Sequence, residues 1–228
     1  MINIGGNIGD VYVSSTKIAE AYVGNQLVYN SGPKVLPYDA EVEWLGSSGT
    51  QYIQLPLDAP ARTFFMVEFD VLIETLNASV QNSLFGGNPW RQCQVAYYSN
   101  STDTITFASY LGNNTTSGAV TISKGNKTHV IFSTTQIHTY TEDGDITNRA
   151  VARNLAAALT GFRIFRGYRY TNEYPCIIYN FKITVGNNLV YNLIPVRKDG
   201  VGYMYDKISG ELYGNAGTGN FLYGNDVI

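Results

Sequence analysis

Apolar and polar residues alternate with period two along much of this chain. The clearest run is Thr63–Ile73, where Val67, Phe69, Val71 and Ile73 alternate with Glu68 and Asp70, and Glu74 continues the polar side. Such a period turns one face of a β-strand to a core and the other to water. Further short runs predict strands at Val42–Leu45, Tyr52–Leu55, Ser83–Phe85, Gln94–Tyr98, Thr104–Tyr110, Ala119–Ile122, Thr128–Ser133 and Gln136–Thr141. The series continues at Gly161–Phe165, Ile177–Val185, Asn188–Pro195, Gly202–Asp206 and Glu211–Tyr213. Turn dipeptides punctuate it, notably Asp143-Gly144, Gly186-Asn187, Asp199-Gly200 and Ser209-Gly210. Many short strands at close spacing predict an all-β protein built as a two-sheet sandwich or jelly roll. Helix is expected only in the alanine-rich stretch Arg149–Leu159, and there for a turn or two at most.

The first thirty residues follow a different rhythm. Val11–Ile18 and Ala21–Val28 are near-repeats ten positions apart, each reading strand, tight turn, strand. A two-hairpin unit of this size buries too little apolar surface to stand alone. Residues 1–32 are therefore expected to dock, on the main domain, on sister chains or on a larger assembly, with Tyr12, Tyr22, Val23, Leu27 and Tyr29 as the attachment residues. Gly32-Pro33 and Pro37 mark the break before a main domain at 38–228.

Composition narrows the function classes. Charged residues make up only 14% of the 228, against roughly 25% in ordinary globular domains, while Tyr reaches 18 and aromatics 13%. A net charge of −3 argues against a nucleic-acid partner. No run approaches the ~20 apolar residues of a membrane-spanning helix. Met1–Gly6 has neither the basic nor the apolar stretch of a secretory signal. Asn77, Asn100, Asn113, Asn114 and Asn126 begin Asn-x-Ser/Thr triplets, which read as polar β-turns. Cys93 and Cys176, 83 positions apart, are not a zinc pattern. They read as two core thiols, or as a disulfide if their Cα atoms come within about 7 Å.

Recognition chemistry concentrates in one stretch. Arg149, Arg153, Arg163, Arg166 and Arg169 fall within 21 positions, interleaved with Phe162, Phe165, Tyr168, Tyr170 and Tyr174. Arg and Tyr are favoured on recognition surfaces. A sugar would stack on a tyrosine ring while guanidinium N–H groups donate to its hydroxyls or carboxylates. The carbohydrate-binding candidates are Arg163, Arg166, Tyr168, Arg169, Tyr170 and Tyr174, with Trp90 and Arg91 as a second cluster. Phe162, Ile164 and Phe165 equally fit a core, with the arginines solvating strand edges. No cofactor or metal motif stands out. Glu142-Asp143-Gly144-Asp145 lacks the ordered spacing of a calcium loop and reads as an acidic hairpin tip. His129 and His138, the two histidines, have no nucleophile or carboxylate at motif spacing.

Two stretches carry a family likeness. Val42-Glu43-Trp44-Leu45-Gly46-Ser47-Ser48-Gly49-Thr50-Gln51-Tyr52-Ile53 opens the main domain. Ile178–Ile183, Leu189–Arg197, Asp199–Asp206, Ser209-Gly210 and Asn215–Gly219 close it. Together they resemble the opening and closing strands of a concanavalin A-like (laminin-G-like) jelly-roll domain, of the kind met in bacteriophage virion proteins and bacterial surface proteins. The likeness spans residues 40–228 and is thinnest between 75 and 160. It implies that the first and last strands pair at one edge. The N-terminal strings of the type Tyr-Val-Gly-x-x-x-Val-Tyr are similar to segments near the ends of phage structural proteins.

The same fold carries laminarinase-type glycoside hydrolases, whose mark is a Glu-x-Asp-x-Glu or Glu-x-Asp-x-x-Glu strand. Glu68, Asp70 and Glu74 approach that pattern with an interval one residue too long. Six residues of strand separate Glu68 from Glu74 by about 20 Å, against the roughly 5–5.5 Å a retaining pair needs. The expectation is a non-enzymatic virion protein, a head or tail fibre or decoration, displaying a lectin-like jelly roll to host-surface glycans. A glycoside hydrolase and a decoration protein with no ligand are the alternatives.

Overall fold

The computed structural model describes residues 36–74, 82–88, 93–99, 104–111, 116–134, 136–141, 146–150, 155, 157–167 and 175–227, together with four short strands before residue 31. The strands before residue 31 and those at 136–150 are described by backbone pairing alone, as are parts of those at 93–123. The chain divides into two compact units, Met1–Leu36 and Pro37–Ile228.

In the first unit, β1 (Tyr12–Val13) pairs with β2 (Thr16–Lys17), and β3 (Glu20–Val23) with β4 (Gln26–Asn30). The ten-residue repeat is thus two hairpins, closed at Val13↔Thr16 and Val23↔Gln26. The side chains of Tyr12, Tyr22, Val23, Leu27 and Tyr29 lie outside the described residues.

The second unit is all antiparallel β. Its strands are β5 (Ala40–Glu41), β6 (Leu45–Ser47), β7 (Ile53–Ala59), β8 (Phe65–Leu72), β9 (Asn82–Asn88), β10 (Cys93–Ser99), β11 (Thr104–Leu111), β12 (Thr116–Ser123) and β13 (Thr128–Ser133). They continue as β14 (Gln136–Thr141), β15 (Ile146–Ala150), β16 (Leu159–Ile164), β17 (Cys176–Val185), β18 (Asn188–Lys198), β19 (Val201–Asp206), β20 (Leu212–Tyr213) and β21 (Leu222–Tyr223). One sheet has six strands in the order β12-β11-β10-β9-β16-β7. The other runs β15-β14-β13-β8-β17-β18-β19-β20, with β5, β6 and β21 attached. This is a jelly-roll-like sandwich.

Its opening and closing strands do meet: β21 pairs with β6, and Val42 bridges to Asp226. Two expectations change. Val42–Leu45 is not one strand, because the chain leaves the sheet at Glu43 and Trp44 and re-enters at Leu45. Arg149 and Ala150 are not helical. They pair with Ile137 and Gln136 in β15, since a sheet edge already formed by β14 outweighs the weak helix propensity of a short alanine run.

Alternation sets the layers. β8 buries Phe65, Val67, Phe69 and Val71 and turns Met66, Glu68, Asp70 and Leu72 outward. Phe85 in the six-stranded sheet meets Phe69, Phe132 and Phe181 of the other at 5.6, 5.7 and 5.6 Å between ring centroids. It also meets Phe162 of its own sheet at 5.4 Å. Pro56 sits in β7, the end strand of its sheet, where no neighbour needs the missing N–H. Asp199 (φ 51°) and Gly200 (φ 73°) form the left-handed two-residue turn between β18 and β19. Cys176 is buried in the core, and the side chain of Cys93 lies outside the described residues.

A latch ties the end of the chain to the sheet. Arg197 Nη2 and Nε donate to Asp226 at 2.8 and 3.2 Å, and Val227 N donates to Glu41 O at 2.8 Å. The guanidinium hydrogen bond holds the Asp226 carboxyl below its ordinary value. A group depressed in this way stabilises the fold above its unfolded value and loses that contribution as pH falls through the folded one. The protection factors of the Val227 and Glu43 amides, exchange rates taken relative to the intrinsic rate at each pH, should therefore fall below the ordinary aspartate pKa of about 3.9. Asp226→Asn should remove this pH dependence, and unchanged acid behaviour in that variant would show that another group controls it.

Candidate functional site

Arg163 and Arg166 lie at the end of β16, beside edge strand β7. The register pairs Arg163 with Gln54, and Arg163 Nε donates to Gln54 Oε1 at 2.9 Å. Gly161 (φ 68°) makes a bulge in β16, visible as a register shift against both neighbours. Four residues on, Phe165 adopts φ 69° although it is bulky and buried. That is a strained conformation, held by Phe165 N donating to Leu84 O at 2.7 Å and by the ring's contact with Phe221 at 5.3 Å.

The strain has a geometric product. In an unbroken strand, residues 163 and 166 would face opposite sides of the sheet. With Ile164 and Phe165 both buried, Arg166 instead emerges on the side of Arg163. The two guanidinium carbons stand 5.3 and 4.8 Å from the centroid of a single ring, Tyr52.

A loop fixes Tyr52 from behind. Tyr52 N donates to Asn215 Oδ1 at 3.1 Å, and Ala216 N donates to Tyr52 O at 2.8 Å. Gly217 crosses so close that a Cβ there would stand 2.0 Å from Thr50 O. The site thus joins three distant segments, 52–54, 163–166 and 215–219. All three of its aromatic and cationic side chains are half-buried.

Of the eight predicted contact residues, the structure brings Arg163 and Arg166 together. Tyr168, Arg169, Tyr170, Tyr174, Trp90 and Arg91 lie outside the described residues. Phe162 and Phe165 belong to the core. Tyr52 and Gln54 were missed. Their outward alternation in the run Gln51–Leu55 was readable, but not their pairing with residues more than a hundred positions away.

The carboxylates of the glycosidase comparison do not form a pair. On the outer face of the larger sheet, Lys182 Nζ donates to Glu68 Oε1 at 2.7 Å, and Asn180 Nδ2 donates to Asp70 Oδ2 at 2.7 Å. His129 Nδ1 donates to Asp70 Oδ1 at 2.5 Å. Lys127 lies 4.0 Å from Asp70 and over the Tyr179 ring at 4.2 Å. Glu74 lies beyond the end of β8, apart from this network. The register sets His129 opposite Tyr140 and His138 opposite Ile131. Among the described residues, no group of three or more His, Cys, Asp or Glu could hold a metal ion. Glu142–Asp145 lies outside them.

No protein-family model matches the chain, and no curated protein matches it. Solved structures do. The native heptameric SAP-like pentraxin of Limulus polyphemus superposes with a TM-score of 0.52 at 10% identity, covering 83% of this chain and 96% of that one. A protein of Bacteroides ovatus ATCC 8483, named as a candidate carbohydrate-binding protein, superposes with a TM-score of 0.52 at 12% identity over 81% of this chain. This chain spans 61% of that protein's length. At these identities the likeness defines the class by fold alone: a jelly-roll-like β-sandwich.

Proposed function

We propose that Pro37–Ile228 is a non-catalytic glycan-binding domain, and that the full chain is a bacteriophage virion component displaying it. The observation that carries the binding assignment is the convergence of Arg163 and Arg166 on Tyr52. A strained residue maintained beside that cluster supports it, because such strain concentrates at working sites. Two guanidiniums held over one ring form a cationic, donor-rich corner, suited to glycans bearing carboxylate or sulfate groups. The tied state of Glu68 and Asp70 supports a role without catalysis. The virion assignment draws on the likeness of the opening and closing motifs and on the separate two-hairpin unit, which would attach the domain to other virion proteins or to sister chains.

A glycan array followed by calorimetry tests the binding assignment. Acidic glycans should bind in preference to neutral ones, and Arg163→Ala/Arg166→Ala should weaken binding by at least about tenfold with the circular dichroism unchanged. Undiminished binding by this variant, or none by the parent chain, overturns the assignment. Mass spectrometry of purified particles tests the virion role, which fails if peptides of this chain are absent.

A further inference from the structure

A second depression lies on the outer face of the larger sheet, formed by other residues. Its floor is one transverse row of paired positions: Leu72 on β8 opposite Ile177 on β17, Ile177 opposite Gly46 on β6, and Gly46 opposite Leu222 on β21. Gly46 creates the dip. A Cβ there would stand 3.2 Å from Trp44 Cζ3, 3.5 Å from Leu222 Cβ and 3.6 Å from Ile177 Cγ1. Trp44 forms one wall, its indole laid against Gly224, where a Cβ would come within 2.7 Å of Nε1. Pro175, Cys176 and Ser47 line the depression further, and Glu74 brings the one charged group among the lining residues. The volume is about 130 Å³. That is well below the roughly 300–1,000 Å³ of sites for drug-sized ligands, so the pocket accepts one chemical group.

The geometry points to a methylated ammonium group as that occupant. An indole and a carboxylate both attract positive charge. A primary ammonium would bring three N–H donors into walls that are mostly aliphatic, and each donor left unpaired is costly. A quaternary ammonium brings none. Leu72, Ile177, Pro175 and Leu222 offer apolar contact to its methyl groups, with the Glu74 carboxylate as counter-charge and the Trp44 indole as a wall. No Lys or Arg is among the lining residues to oppose it. This site is independent of the arginine corner and has the opposite charge preference.

The test uses the full chain with choline as the probe and 3,3-dimethylbutan-1-ol, its uncharged isostere, as the control. Binding is read by calorimetry and by saturation-transfer NMR of the methyl protons. Choline should bind in the millimolar range, and the isostere about tenfold more weakly. Glu74→Gln should reduce choline binding to the level of the isostere. Gly46→Ala, whose Cβ would press on Trp44 Cζ3 at 3.2 Å and displace that wall, should abolish it. Trp44→Ala should also abolish it, and the two milder variants keep the result interpretable if that one fails to fold. Equal binding of choline and the isostere would leave a merely apolar dimple and overturn the proposal. So would absence of choline binding, or displacement of choline by methyl pyranosides at equal concentration. Sedimentation with phosphatidylcholine vesicles, against phosphatidylglycerol vesicles, separates a membrane headgroup from a soluble cation as the source.

Discussion

Phe85→Ala should be among the most destabilising single substitutions in this protein, at about 3–5 kcal/mol. Phe85 is fully buried, and its ring touches three rings of the facing sheet and one of its own. Its centroid distances of 5.4–5.7 Å, three of them in edge-on geometry, are those of aromatic pairs with an attraction beyond their buried area. Truncation leaves a cavity where both sheets meet. Phe69, Phe132, Phe162 and Phe181 cannot all relax into it, because each is held in a different strand by its ladder. Urea denaturation should show a lower midpoint with an unchanged slope. Leu222→Ala is the control: the side chain is 58% exposed, so the change should stay within about 0.5 kcal/mol. A Phe85→Ala midpoint equal to the control would mean that the sheets are not joined through this ring.

Asp206→Ala should cost on the order of 2–4 kcal/mol by a different mechanism. The carboxylate is 1% exposed and accepts four hydrogen bonds. They come from Asn192 N at 2.9 Å, Ile208 N at 3.2 Å, Ser209 N at 3.1 Å and Ser209 Oγ at 2.8 Å. The side chain thus organises the turn between β19 and β20 and fastens it to β18. Alanine removes every acceptor at once and frees the Asn192, Ile208 and Ser209 donors that tie the turn to β18. Asp206→Asn should fall between the parent and alanine. Oδ1 can keep accepting from Asn192 and Ile208, whereas an amide nitrogen in place of Oδ2 would face the Ser209 N–H. Amide exchange should localise the loss to residues 206–211. Alanine and asparagine variants of equal stability would contradict this account.

The arginine corner shows where the reading from sequence stops. Arg163 and Arg166 were identifiable because cationic and aromatic residues interleave there, which is a local property. Their common side was not, since period two assigns 163 and 166 to opposite faces. The inversion depends on Phe165 at positive φ, which no local preference of phenylalanine predicts. Glu74 was assigned to a solvated strand face and Trp44 to a strand of the fold motif. In the structure both line a pocket, because β8 ends at Leu72 and the chain leaves the sheet at Trp44.

By itself, the sequence determined the two-hairpin start, the all-β class and the inward face of β8, while the family resemblance implied the pairing of the domain's two ends. The first three are encoded over a few neighbouring residues, as alternation or turn chemistry. The allotment of strands between a six-stranded sheet and a larger one, the ring of Tyr52 beneath two distant arginines, and the hollow over Gly46 were decided only by the tertiary structure. They depend on register between segments far apart in the chain. Register is selected by packing the whole core at once, and no local stretch of sequence contains it.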